Sequence, residues 1–254
     1  MTHIILSSAR NKCYLQLRSL HQLYQKNKFE DVVAYTAVGS AAPLALMLSL
    51  GIAPNVISST IFSSKIFDSD CAKDLRAYIS DLLEPVVCDY HKEIPTLETL
   101  YKVCSLTLYL CVWNATAKRI EYISHLTHPH LDCITACSMA YNSPYLHYIQ
   151  SYCGTVYQDC THINPLPIHS LDLFAKTICV YVVYIGRDCV APVKRAIEVI
   201  LEESITMHIK SLVLPYSLHR CTEFIELTWK GVILPQDDHT TKEKLDMLLG
   251  CNDD

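Results

Sequence analysis

From Val32 to Ile52 the chain reads VVAYTAVGSAAPLALMLSLGI. Its first half, Val32-Val33-Ala34-Tyr35-Thr36, is β-branched and aromatic and predicts a strand. Its second half, Ala41 to Leu50, is rich in Ala, Leu and Met and predicts a helix. Gly39-Ser40 between them predicts a sharp turn, and Gly51 suits the residue that closes the helix. No charge occurs from Val32 to Ser64, a run bounded by Asp31 and Lys65. That length would allow a membrane span, but Pro43 and Pro54 interrupt it. A buried strand, turn and buried helix explains the run better. A strand entering a helix through Gly-Ser has the shape of a nucleophile elbow. Such a turn lifts a serine hydroxyl above the sheet, beside helix N–H groups that favour negative charge. The usual pattern is G-x-S-x-G, because tight closure needs very small neighbours. Here Val38 and Ala42 stand at the outer positions. Val38 is the harder change, since a β-branched residue suits neither a crowded site nor positive φ.

Outward from that stretch, the alternation continues. His3 to Ser7 predicts a strand, and Tyr14 to Lys26 an amphipathic helix through Leu15, Leu17, Leu20, Leu23 and Tyr24. Strands alternating with helices predict a mostly parallel sheet covered on both faces, a three-layer α/β/α sandwich. Further along, Cys71 to Leu83 predicts a helix capped by Asp70. Thr96 caps another helix from Leu97, with Thr99 where a capping-box acid would sit. Ser105 to Trp113 and Thr155 to Gln158 predict strands, and Thr177 to Ile185 a central parallel one. Lys194 to Lys210 and Leu218 to Trp229 predict helices. No repeat, low-complexity tract or Gly/Ser linker divides residues 1–254, which predicts a single domain.

Half of the 254 residues are hydrophobic and 19% are charged, so the chain can bury a core and is not disordered. With 21 Lys+Arg against 26 Asp+Glu, the net charge is −5, which argues against nucleic acid as a partner. The first residues, MTHIILSSARNKC, lack the apolar core of a signal peptide, and the expected location is cytoplasmic, without a transmembrane helix. Thirteen cysteines without a CxxC pair then read as reduced, mostly buried small hydrophobes. Glycine occurs six times, well under the usual share of about 7%. His125, His128, His130 and Cys133 lie within nine residues, but their spacing matches no standard zinc pattern and no metal site is expected. No Walker-A loop or Rossmann fingerprint occurs, and no cofactor is called for.

Six segments, in order, resemble the patatin-like phospholipase family. Its opening strand, G-G-G-x-[RK]-G loop and helix are similar to IILSSARNKCYLQLRSLHQLYQ. Its elbow strand matches VVAYTAVGSAAPLALMLSLGI, and its middle strand LTLYLCVWNATAKRIEYIS. The family's A-S-x-x-x-P-x-x-F helix is similar to ACSMAYNSPYL. Its Y-x-D-G-G-x-x-x-N-x-P motif matches YQDCTHINPLP. Its last strand and C-terminal acidic helix look like TICVYVVYIG and HTTKEKLDMLLG. The resemblance implies a Ser–Asp dyad made of Ser40 and Asp159, with an oxyanion loop at Ser8, Ala9, Arg10, Asn11 and Lys12. The implied chemistry is acyl transfer on lipid esters: the aspartate takes the serine proton, and loop N–H groups hold the oxyanion.

The departures are concentrated where that chemistry needs glycine. The loop has become Ser8-Ala9-Arg10-Asn11-Lys12-Cys13, the elbow Val38-Gly39-Ser40-Ala41-Ala42, and the D-G-G motif Asp159-Cys160-Thr161. Both functional side chains survive while their glycine backbone does not. The expectation is therefore an impaired enzyme acting as a binding, scaffold or assembly component, with lipid, a membrane surface or a protein as partner. The alternative is a diverged serine lipid acyl hydrolase with a rebuilt oxyanion hole. Plainer roles are also open: Ser40 as a helix cap and Asp159 as a hydrogen-bonded turn residue.

Overall fold

The computed structural model describes residues 1–9, 13–57, 80–81, 83–85, 94–141, 150–168, 176–184, 193–216 and 222–229. Strand β1 (Thr2–Leu6), helix α1 (Cys13–Gln25), strand β2 (Val32–Val38), a 3-10 turn (Gly39–Ala41) and helix α2 (Ala42–Ser49) follow the expected order. After them come α3 (Leu97–Cys104), β3 (Thr107–Asn114), β4 (Arg119–Ile123), α4 (Cys133–Tyr141), β5 (Gln150–Tyr152) and β6 (Thr155–Asp159). Strand β7 (Lys176–Tyr184), helix α5 (Val193–Tyr216) and strand β8 (Thr222–Trp229) complete the described elements.

Eight strands form one sheet in the order β5-β6-β3-β2-β1-β7-β8, with β4 paired to β3. The pairs β1–β2, β1–β7, β2–β3 and β7–β8 are parallel; β3–β4, β3–β6 and β5–β6 are antiparallel. Side chains alternate between the faces of a strand. Thus Ile4 and Leu6 enter the larger core with α1, α2, α3 and α4, while Ile5 enters a second core with α5. The result is the expected three-layer α/β/α arrangement with a mostly parallel sheet.

Local chemistry explains the boundaries. Thr96 Oγ1 accepts the Thr99 N–H at 3.2 Å and so caps α3, as its sequence predicts. Ser105 ends that helix in the left-handed region at φ 54°, so β3 begins at Thr107 rather than Ser105. Gly51, at φ 79°, closes α2. Asp132 Oδ1 accepts the Thr135 N–H at 2.7 Å and starts α4. Two short strands, β4 and β5, add to those expected from the sequence. Cys153 and Gly154, at φ 49° and 78°, make the two-residue turn that folds β5 onto β6.

One expected helix is a strand. Residues 218–229 carry apolar groups at near-helical spacing, yet Thr222–Trp229 pairs in parallel with β7 along its whole length. Phe224 packs on the core beneath α5, while Ile225 and Leu227 turn toward the opposite core. That division of neighbouring side chains between the two faces is the period of two of a strand. Residues 80–81 and 83, from the helix expected over 71–83, are helical, whereas 71–79 and 82 lie outside the described residues, as do Asp70 and the segment HTTKEKLDMLLG.

Candidate functional site

Strands β1 and β2 run side by side, with Leu6 opposite Ala37, so the chain after Leu6 meets the turn after Val38. Ser7 is fixed by its surroundings. Its N–H donates to the Val180 carbonyl at 3.1 Å, and its carbonyl accepts from Gln16 Nε2 at 2.7 Å. Its Oγ accepts the Val182 N–H at 3.3 Å. Gln16 is a buried polar residue on the inner face of α1, a role its sequence position did not announce. A buried amide needs partners, and this one anchors the start of the loop.

The next two residues reach the candidate serine. Ser8 Oγ lies 3.1 Å from Ser40 Oγ, and the Ala9 N–H donates to Ser40 Oγ at 3.1 Å. The Ser40 N–H in turn donates to Ser8 Oγ at 3.3 Å. Ser8 and Ala9 are nearly buried and Ser40 is half-buried. Arg10, Asn11 and Lys12 lie outside the described residues.

The elbow closes differently from its sequence expectation. Val38 sits at φ −132° and ψ 143°, ordinary extended backbone that suits a β-branched residue, so it brings no strain. The left-handed conformation falls on Gly39, at φ 59°, and none of the positive-φ residues other than glycine is Ser40. Ala42 has helical dihedrals, φ −59° and ψ −47°, and needs no glycine. The cap positions of the 3-10 turn and of α2 are Val38 and Ala41, and neither makes a side-chain cap bond. Ser40 is therefore not the cap of α2. Its hydroxyl faces the β1 loop instead.

Asp159 arrives from the far end of the sequence through β3. One edge of β3 pairs with β4 over Leu110–Asn114. The other edge pairs first with β2, ending at Val38↔Cys111, and then with β6, starting at Val112↔Asp159. Because β6 runs antiparallel to β3, the C-terminal ends of β2 and β6 meet head to head. Val38, Cys111 and Cys160 pack together there. A Cβ added at Gly39 would collide with Thr161 Oγ1 and would stand 2.6 Å from Ser8 Oγ. Thr161 Oγ1 donates to Asp159 Oδ1 at 2.6 Å, and its N–H donates to the same oxygen at 2.8 Å. The fold thus gathers Ser8, Ala9, Gly39, Ser40, Asp159 and Thr161 from three separate segments. Thr161 has no sequence signal beyond its place in the D-G-G-like motif.

Beneath these groups lies a buried polar cluster. Asn164 Nδ2 donates to Tyr122 Oη at 3.1 Å and to Cys111 Sγ at 3.6 Å. The Cys111 thiol is pushed well up, first by its hydrogen bond with Cys160 and then by burial. Burial likewise raises the Tyr122 phenol. A thiol held protonated is a poor nucleophile, so Cys111 is a packing residue here.

The histidine-rich segment is divided among different partners. His125 stacks on Tyr101 with ring centroids 3.8 Å apart. His128 Nδ1 lies 3.0 Å from Thr127 Oγ1, and Cys133 is fully buried at the start of α4. Among the described residues, no group of three or more His, Cys, Asp or Glu side chains could hold a metal ion. Nor is any described helix long and apolar enough to cross a membrane.

No family model and no curated protein sequence matches the chain. Solved structures do. VipD from Legionella pneumophila superposes with a TM-score of 0.58 at 14% identity, over 98% of this chain and 66% of VipD. ExoU of the Pseudomonas aeruginosa type III secretion system, solved in complex with SpcU, gives a TM-score of 0.47 at 12% identity, over 83% of this chain and 52% of the other. The chain spans about two thirds of the length of VipD, whose fold is patatin-like. That likeness shows the fold alone: with its mixed central sheet flanked by helices, the fold of this chain is patatin-like.

Proposed function

We propose that this chain is a patatin-like domain whose serine–aspartate position has lost efficient acyl transfer and which acts as a binding, scaffold or assembly component. Ser40 and Asp159 are the retained side chains of that position, and lipid, a membrane surface or a protein is the partner class. One observation carries the reading: Ser40 Oγ is engaged by the Ser8 hydroxyl and by the Ala9 N–H, each at 3.1 Å.

An acyl hydrolase must aim its loop N–H groups at the oxygen of the tetrahedral intermediate, not at the nucleophile. Here the Ala9 N–H binds the serine itself, and the Ser8 side chain fills space that glycine would leave for an ester oxygen. Loss of one oxyanion donor costs about 100- to 1000-fold in kcat. Asp159 Oδ1 accepts two hydrogen bonds from Thr161, and bonds to the ionised carboxylate favour that form and make it a weaker base. Positive φ at Gly39, rather than at Ser40, favours the same reading, because a nucleophile elbow holds its serine on a strained turn.

The test is labelling of the purified chain with a fluorophosphonate probe, beside Ser40→Ala, with circular dichroism to confirm folding. The expected result is no Ser40-dependent labelling. Labelling that disappears in Ser40→Ala would overturn the impaired reading in favour of a serine lipid acyl hydrolase.

A further inference from the structure

We infer that helix α5 is a self-association surface, on which a second copy of this chain packs its own α5 in antiparallel orientation about a two-fold axis at Met207. The inference is independent of the serine position. Ile200, Met207 and Leu214 are 63%, 73% and 74% exposed. Spaced seven apart, they form one line along the helix. The opposite side of α5 buries Ile205 and Ile209 against the sheet. Scattered exposed apolar side chains are normal, but three large ones aligned on one helix face, about 10 Å apart, mark a contact surface.

Charge chooses the occupant and its direction. Glu203 and Lys210 are exposed and also seven apart, so they flank the apolar line on one side. In a parallel pair, whose two-fold axis runs along the helices, the Glu203 and Lys210 flank would face the Ser204 and Ser211 flank of the second copy and meet no opposite charge. About a two-fold axis at Met207, residues equally distant from it meet instead: Ile200 packs on Leu214 of the second copy, and Met207 on Met207. Glu203 then lies within one residue's rise of Lys210 of the second copy, and the pair occurs twice. Ser204 and Ser211, exposed on the other flank, are small enough to admit the usual helix separation of about 8–10 Å. Such a surface is self-complementary, as an isologous dimer requires. A membrane-surface helix would carry a basic polar face, whereas this flank alternates acid and base.

The seam is short. Fourteen residues at 1.5 Å rise give roughly 21 Å. A contact of that length across a helix about 10 Å wide is well under the about 800 Å² per partner of a standard interface, so association is weak and concentration-dependent.

The experiment is analytical ultracentrifugation of the full chain from about 10 µM to about 1 mM at low salt. Wild type is expected to rise from the monomer mass of 28.8 kDa toward twice that value. Met207→Asp and Glu203→Lys should each hold it at monomer, and Glu203→Lys combined with Lys210→Glu should restore the rise. All are surface changes, and a urea midpoint matching wild type checks that each variant is folded. A wild type monomeric throughout overturns the inference. So does a dimer indifferent to Met207→Asp, or a charge-swapped double variant that stays monomeric while folded.

Discussion

Gly39→Ala probes the junction of all three segments at once. A methyl group there must adopt φ near 59°, in a region that costs an L-residue roughly 1–2 kcal/mol. It would also collide with Thr161 Oγ1 and stand 2.6 Å from Ser8 Oγ and 2.9 Å from Ser8 Cβ. Overpacking of this kind costs about 1–3 kcal/mol. The combined destabilisation is then about 2–5 kcal/mol, a large part of the roughly 5–15 kcal/mol that holds a domain folded. At about 2–4 °C per kcal/mol for a chain of this size, Tm should fall by about 4–20 °C. Urea denaturation of Gly39→Ala, beside Gly39→Ala/Ser8→Gly and Gly39→Ala/Thr161→Ala, separates the two contributions. Removing either neighbour should recover part of the packing cost and leave the backbone cost of roughly 1–2 kcal/mol. A Gly39→Ala protein within about 0.5 kcal/mol of wild type, the range of an ordinary surface change, would refute the convergence of β1, β2 and β6 on that turn.

Two other outcomes follow from burial. Burial holds the His125 and His128 imidazoles below their usual pKa, so the unfolded chain binds protons that the folded chain refuses. Stability should therefore fall as pH drops below about 6.5, and the urea midpoint should be lower at about pH 5 than at about pH 7.5. That slope should be shallower in His125→Gln/His128→Gln, and an unaltered slope would dismiss the two histidines as its source. Cys153 is exposed, whereas Cys111, Cys133, Cys137, Cys160 and Cys179 are buried. Burial raises the Cys179 thiol to about 12 and lifts Cys133 and Cys137 as well. Alkylation of the native chain followed by peptide mapping should mark Cys153 before any of these buried thiols. Equal labelling of Cys179 would contradict its place in the core beneath α5.

The parts legible in the sequence are those set by local chemistry. Strand β2, the turn at Gly39 and helix α2 follow from a β-branched run, a glycine and an Ala/Leu run, each a preference of neighbouring residues. Thr96 as a cap and Gly51 as a helix closer are likewise decided within a few residues. Strand β8 was misread because Phe224, Ile225 and Leu227 satisfy helical spacing as well as alternation. Only pairing with β7, and cores on both faces, made alternation the lower-energy choice. Strands β4 and β5 are short pieces whose pairing partner, not their composition, makes them strands.

The site divides in the same way. Order along the chain was enough to nominate Ser40 and Asp159, and to set their neighbours beside the glycine-rich pattern they resemble. What those departures do depended on tertiary structure, because the three segments at the junction are separated from one another by many residues. Val38 proved harmless, since the turn puts its positive φ on Gly39. Ser8 lies against the candidate serine, since the register of β1 against β2 brings its hydroxyl to Ser40. Thr161, bonded locally to Asp159 two residues before it, reached the space beside Gly39 only because β6 enters β3's edge where β2 leaves it. Residue types and their order are local properties of a chain; which hydroxyl faces which is set by strand register, and register is fixed by packing across the whole sheet.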